Sequence, residues 1–302
     1  MSAAISGFIN LLKPPGLTSH RAVAHVKRAF PRRTKIGHAG TLDPDVPGVL
    51  VICVGRATKL AQFLMDADKA YRVEITFGLA TDTEDWTGRP VDEKPADGLT
   101  ESELQRALSN FIGTIEQVPP MYSAVRVGGR RLYELAREGM EVPRQSRWAV
   151  IKSIELLSFW PGPRARALLD VTCGKGTYMR TLCKDIGEHL GLPAHMSYLI
   201  RKRVGVLDIH DARTLEEVEE GGDSVLIEPA EALSHLPAVR IPQERIEALL
   251  HGVQPSVTWG LQVPKGGEVL RLVDEKGELL ALARRTHDRY LELVKVIARR
   301  GG

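Results

Sequence analysis

The chain predicts an α+β protein in which a mixed β-sheet domain with flanking helices precedes a small β-barrel module. Three observations carry this expectation. Strand-length apolar or alternating runs interleave with runs at helical spacing as far as about residue 230. Beyond Leu236 the pattern changes to short strands with one helix. The length of 302 residues fits about two units at roughly 150 residues each. The expected boundaries are 1–235 and 236–302.

Taken in order, SGFINLLKP (6–14) reads as a strand closed by the turn Pro14-Pro15-Gly16. Thr18 or Ser19 can cap a helix that runs to about Phe30, where Pro31 stops it. GHAGTLDPDVPG (37–48) is a Gly- and Pro-rich loop. VLVICVG (49–55) is a buried-strand run, ATKLAQFLMDAD (57–68) has helical spacing, and YRVEITFG (71–78) alternates as a half-buried strand does. The acidic segment 81–100 reads as a surface loop. Thr100 and Glu103 then match a capping box opening TESELQRALSNFIG.

Residues 117–147 form a basic, irregular insertion with a short helix near RLYELAREG. Strands follow at 148–160 and 166–174, then a helix opened by Thr177 (177–191) and a strand over 195–205. The C-terminal module reads as VRIPQERIEALLHG, a hairpin turning at Glu275-Lys276-Gly277, and a last strand in YLELVKVIARR (290–300). There is no internal repeat.

Composition excludes several classes. No apolar run approaches the roughly 20 residues of a membrane span, and the N-terminal stretch lacks the basic region and cleavage site of a signal peptide. Three cysteines, an odd number without a CxxC pair, support neither a disulfide framework nor a zinc cluster. A reducing cytoplasm is the expected compartment. The net charge of +3 hides segregation: residues 1–42 hold seven Lys or Arg and no acid, and 122–152 hold seven bases against three acids. Arg201-Lys202-Arg203 adds a third basic cluster. A polyanion held on one face, nucleic acid above all, fits that layout.

The loop at 37–48 admits three kinds of chemistry. His38, Asp43 and Asp45 have donor atoms for a metal, but no HxxxH, DxDxDG or HExxH spacing accompanies them. DPDVP superficially matches an aspartyl-phosphate nucleophile loop, yet KIGHAGTL before it has little strand character. The third is one carboxylate, Asp43, fixed by Gly37, Gly40, Pro44, Pro47 and Gly48.

GHAGTLDPDVPGVLVICVGRATK closely resembles the catalytic motif of the TruB family of tRNA pseudouridine synthases. The resemblance continues through KPPGLTS (13–19), DKAYRVEITFGLATDTED (68–85), VPPMYSAVRVGGRRLYELAREG (118–139), CGKGTYMRTLCKDIGEHLG (173–191) and HMSYLIRKRVG (195–205). These ordered segments span about 190 residues. The resemblance implies a pseudouridine-synthase catalytic domain over 1–235, an RNA-gripping insertion at about 117–147, and a PUA-like RNA-binding domain over 236–302.

It further implies an intramolecular transferase that turns uridine into pseudouridine at position 55 in the tRNA T loop. The C1′–N1 bond breaks, the uracil turns while bound, and C5 bonds to C1′, so neither cofactor nor metal is required. Asp43 would be the catalytic carboxylate, whether it attacks carbon or removes a sugar proton. Arg180 would pair with it, Tyr71 would stack on the flipped base, and Leu199 would press on the other face. His38 would occupy the space that the base vacates, while Lys13 and Pro14 would support the loop. Asp45 has no part in the family motif, and Cys173 need not be reactive.

Arg32, Arg33, Lys35, Arg126, Arg130 and Arg131 are candidates for phosphate contacts, which position RNA without reading it. The implied partner is tRNA, held by its T stem-loop and, through the C-terminal domain, its acceptor end. The resemblance implies a cytoplasmic monomer that needs no guide RNA or protein partner and does not act at a membrane. Competing readings are a tRNA-folding chaperone or scaffold on the same fold, a guide-RNA-dependent relative, and a phosphatase that uses DPDVP as its aspartyl-phosphate loop.

Overall fold

The computed structural model describes residues 5–123, 125–256, 259–264, 268–286 and 291–297. In chain order the elements are β1 (Gly7–Lys13), α1 (Ser19–Val26), β2 (Ile36–His38), β3 (Gly48–Val54), α2 (Ala61–Met65), β4 (Lys69–Phe77), β5 (Leu79–Thr81) and β6 (Pro90–Glu93). Then come α3 (Glu101–Ser109), β7 (Gly113–Gln117), β8 (Arg126–Val127), β9 (Arg130–Arg131), α4 (Leu132–Arg137), β10 (Arg147–Trp160), β11 (Arg166–Cys173), α5 (Met179–His189), β12 (Ala194–Val204) and β13 (Leu207–Asp208). The chain continues with α6 (Leu215–Gly221), α7 (Pro229–Ala232), β14 (Ala238–Arg240), α8 (Gln243–Leu250), β15 (Val269–Val273), β16 (Leu279–Arg285) and β17 (Leu291–Val296).

Nine strands build the central sheet, in the order β1-β3-β12-β4-β11-β10-β7, with β2 added to β3 and β13 to β12. The sheet is mixed because β12 runs parallel to β3, meeting it where Arg201 faces Gly48. All other pairings in this sheet are antiparallel. β3 is apolar and buried along its whole length, as a strand covered on both faces must be. β4 alternates buried and half-buried positions, which leaves one face of the sheet partly wet.

Leu50, Ile52, Val73, Ile75, Leu169 and Val171 pack on one face of the sheet with apolar residues of α1, α3 and α5. Phe8, Val49, Val51 and Cys53 point the other way, against Leu60, Phe63, Leu64 and Leu233. Val273, Leu279 and Leu282 of the C-terminal sheet join this second cluster, so that sheet shares a core with the end of the central one. The C-terminal strands have the order β14-β15-β16-β17, and their own core includes Val239, Leu249, Leu270 and Ala281. The described strands form a four-stranded sheet, with no barrel closure among them. Residues 290 and 298–300 of the expected last strand, and residues 1–4, lie outside the described residues.

Local signals place many of these elements. Thr18 caps α1 by accepting from the Arg21 N–H, and Thr100 with Glu103 forms the expected capping box on α3. α5 differs from expectation. Its N-cap is Tyr178, which has no side-chain cap bond. Thr177 instead donates to the Gly174 carbonyl and closes the preceding loop. Gln117 substitutes for a cap: it accepts from the Tyr178 N–H at 3.0 Å and donates to the Tyr178 carbonyl at 3.2 Å.

The insertion is likewise more ordered than its composition implies, with the β8–β9 hairpin leading into α4. No helix among the described residues is long and apolar enough to cross a membrane.

Candidate active site

The loop from Ala39 to Val49 is held from below by three side chains that bind its backbone. Lys13, at the end of β1, has no exposed surface. Its ammonium donates to the carbonyls of Pro14, Leu17 and Pro44 at 2.8, 2.8 and 2.7 Å, which uses all of its donors. Ser19 accepts from the Leu42 N–H at 2.9 Å and donates to the Leu42 carbonyl at 3.0 Å. Arg201 donates from Nε to Val49, Nη1 to Thr41 and Nη2 to Gly40, all carbonyls, at 2.7, 3.2 and 3.2 Å. Gly48 adopts φ +122°, and a Cβ there would lie 2.3 Å from the Arg201 carbonyl oxygen, so only glycine fits.

Burial lowers the Lys13 pKa to about 8, against Asp45 and Asp43, which favour its proton, and with Arg201, which opposes it.

Pinned in this way, the loop presents Asp43 half-exposed at its crest, and the Asp43 carbonyl accepts from the Val46 N–H at 3.1 Å. Arg180, in the first turn of α5 and buried, brings Nη2 to 3.3 Å from an Asp43 carboxylate oxygen. Its Nη1 lies 3.6 Å from Asp85 Oδ2. Nη2 also donates to the Tyr122 carbonyl at 2.8 Å, and Nη1 to the Thr83 carbonyl at 3.4 Å. One guanidinium thus joins the loop that carries Asp43, the acidic turn and the foot of the insertion.

The acidic turn is therefore no simple surface loop. Asp85 is buried and accepts from Thr83 Oγ1 at 2.8 Å, the Thr87 N–H at 2.9 Å and Thr87 Oγ1 at 2.6 Å. Glu84 takes a positive φ of 63° and accepts from Thr181 of α5 at 2.9 Å. Burial raises the Glu84 pKa.

Tyr71 on β4 and Leu199 on β12 are both buried in the same core cluster. In the register Arg201 faces Tyr71 and Leu199 faces Val73, so Tyr71 and Leu199 are diagonal neighbours. Burial raises the Tyr71 pKa, which keeps the phenol protonated at neutral pH. His38 ends β2, and its buried Nδ1 has no hydrogen-bond partner among the described residues. Burial and then the charge of Arg201 lower the His38 pKa, so its ring is neutral at pH 7. No group of three or more His, Cys, Asp or Glu side chains among the described residues is gathered as a metal site would require.

Pro14, Arg32, Arg33 and Lys35 are exposed. So are Arg126, Arg130 and Arg131 on the β8–β9 hairpin. The insertion's bases are engaged locally: Arg130 pairs with Glu138, and Arg131 donates to the Tyr133 hydroxyl at 3.0 Å. The Arg131 and Arg137 guanidinium carbons lie 5.8 and 5.5 Å from the Tyr133 ring centroid.

The third basic cluster is not a phosphate-binding face. Arg201 is 1% exposed and bound to carbonyls. Lys202 pairs with Asp170 at 2.8 Å, and Arg203 donates to the Gly205 carbonyl at 2.7 Å. Strand alternation carries the signal that net charge hides, because Arg201 lies two residues after the buried Leu199 and so on the same face. The threonines two positions either side of Asp85 are the comparable local sign that its carboxylate folds back on its own turn.

Two family profiles match the chain. The one described as "TruB family pseudouridylate synthase (N terminal domain)" covers residues 27–179. The one described as "tRNA pseudouridylate synthase B C-terminal domain" covers residues 180–233. A protein of Symbiobacterium thermophilum named tRNA pseudouridine synthase B is 53% identical over 256 residues, 85% of each chain. One of the same name from Moorella thermoacetica is 48% identical over 287 residues, 93% of this chain and 94% of its own. Among solved structures, a chain in "Crystal Structure of a Cbf5-Nop10-Gar1 Complex" superposes with a TM-score of 0.73 at 30% identity, over 96% of this chain and 84% of that one. A chain in "Structure of H/ACA RNP bound to a substrate RNA containing 2'-deoxyuridine" gives 0.71 at 27% identity, over 97% and 85%.

Proposed function

This chain belongs to the TruB family of pseudouridylate synthases and is an enzyme that isomerises uridine to pseudouridine in tRNA, and we propose that Asp43 does the chemistry on a uridine flipped out of the T loop, at conventional position 55. The observation that carries the assignment is the pairing of a half-exposed Asp43 with a buried Arg180. The guanidinium beside it orients that carboxylate toward the ribose. Tyr71 and Leu199 flank the uracil while the C1′–N1 bond breaks and the C5–C1′ bond forms. The proton lost from C5 balances the one gained at N1, and the Tyr71 phenol takes part in that exchange. His38 fills the space the base leaves.

Arg32, Arg33 and Lys35, with Arg126, Arg130 and Arg131 of the insertion, contact phosphates on either side. Residues 236–302 form a PUA-like domain that meets the acceptor end. The enzyme works as a cytoplasmic monomer without guide RNA, protein partner, cofactor or metal. The bacterial relatives named above favour this stand-alone form, whereas the superposed structures are of assemblies titled with further proteins or as an RNP.

The test is tritium release from an unmodified tRNA transcript labelled at uridine C5, with the full chain and no other macromolecule. Release from a single T-loop position is expected, together with a fall of at least about 10³-fold in Asp43→Asn. Absence of release from the wild type would refute a stand-alone enzyme, and undiminished release from Asp43→Asn would remove Asp43 from the chemistry.

A further inference from the structure

A guanidinium buried in a protein interior carries a desolvation cost of several kcal/mol and is ordinarily met by a carboxylate. Arg201 is the largest side chain buried almost to zero exposure, and it has no ion pair among the described residues. Its guanidinium bonds to Gly40, Thr41 and Val49 all go to backbone carbonyls of a single segment, and a side-chain hydrogen bond joins it to Tyr71. Gly40 and Thr41 lie just before Asp43, and Val49 lies just after the loop. The Arg201 backbone N–H adds a bond to the Pro47 carbonyl at 3.2 Å. The residue therefore grips both arms of the loop that carries Asp43. It also sits opposite Tyr71 in the β4–β12 register, two residues from Leu199.

We propose that Arg201 is a positioning residue that holds Asp43 and Tyr71 at one fixed separation, so that the carboxylate meets the ribose while the ring holds the base. A planar fork of donors reaches three carbonyls in different directions, whereas a lysine ammonium brings its donors to one point. A loop freed by about 1 Å is expected to lose about 100-fold in rate, because orientation and not affinity is what the grip supplies.

This inference rests on Asp43 and Tyr71 having the roles proposed above, and the experiment separates the two. Arg201→Lys and Asp43→Asn in the full chain are compared for tRNA affinity, single-turnover tritium release at saturating enzyme, and amide hydrogen exchange. For Arg201→Lys the expected result is a rate about 100-fold lower, with affinity changed less than about threefold and faster exchange confined to residues 39–49. A rate within about threefold of wild type would overturn the proposal, and so would a rate loss matched by lost affinity. Exchange protection lost across β3, β4 and β12 together would overturn it as well, since Arg201 would then support the sheet and not the loop. If Asp43→Asn alone keeps full activity, the proposed chemistry fails first and independently.

Discussion

The loop at 39–49 and the insertion at 118–146 are both rich in charge nearby, yet they use it in opposite ways. Under the loop, Lys13 and Arg201 are buried and bind its backbone carbonyls. In the insertion, Arg126, Arg130 and Arg131 are exposed, and Arg130 is answered by an equally exposed Glu138. A buried cation held by several carbonyls has one arrangement that satisfies it, so it fixes the backbone around it. An exposed ion pair contributes roughly 0–1 kcal/mol and is easily exchanged for another partner. Bond rearrangement at one carbon needs the first kind of charge, and gripping a phosphate backbone of variable path needs the second. Arg180 joins the two regions, since it holds Asp43 on one side and the Tyr122 carbonyl at the insertion's foot on the other.

The strongest way to break this contrast is Arg180→Ala. Turnover at saturation is expected to fall by on the order of 10²–10³, with tRNA affinity changed only a few-fold. Stability should also fall by on the order of 3 kcal/mol, because buried Asp85 loses its cation. Adding Asp85→Asn should recover much of the stability and none of the rate. Thermal melting and single-turnover assays read the two separately, and recovery of rate would place Arg180 outside the chemistry.

A smaller effect is expected in the insertion. Arg130→Ala with Arg131→Ala should weaken tRNA binding and reduce the slope of log affinity against log salt by about 1–2, leaving the saturated rate intact. An unchanged slope in a salt titration would mean that neither arginine meets a phosphate.

The smallest effect concerns pH. Lys13 titrates at about 8 in the folded chain, below its unfolded value of 10.5. Below pH 8 both states are protonated and this group adds no pH dependence to stability. Between 8 and 10.5 the unfolded chain binds more protons, so stability rises with pH through this group. Lys69, also lowered to about 8 by burial, acts in the same direction. The rate should move the other way, since a neutral amine has two N–H groups for the three carbonyls at Lys13. A pH profile of saturated turnover should fall above about pH 8 while melting temperature rises, as far as these groups govern it. Asp45→Asn removes the strongest charge favouring the Lys13 proton and should shift that fall to slightly lower pH. A profile unmoved by Asp45→Asn would separate Asp45 from Lys13.

The parts of the fold that read correctly from the chain are those set by neighbours in sequence. The Thr100 cap, the first cap narrowed to Thr18 or Ser19, the Pro14-Pro15-Gly16 turn and the alternation of β4 each depend on a few adjacent residues. Gln117 capping α5 was illegible because its partner Tyr178 is 61 residues away. The acidic turn read as solvent-facing because Asp85 and Glu84 are charged, and their burial follows from contacts with α5 nearly 100 residues on.

By itself, the sequence determined the class of the molecule, the order of its main strands and helices, and a Gly- and Pro-restricted loop bearing the chain's first carboxylate. It also determined the excess of positive charge along the first 42 residues. Only the tertiary structure decided which basic residues meet solvent and which are interred. Arg201, Lys202 and Arg203 are consecutive and alike in sequence, yet one clamps the Asp43 loop, one neutralises Asp170 and one caps a turn. Charge is a property of the residue. Solvation and the partner that replaces it come from distant parts of the chain brought together by the sheet, and those decide what the charge can do.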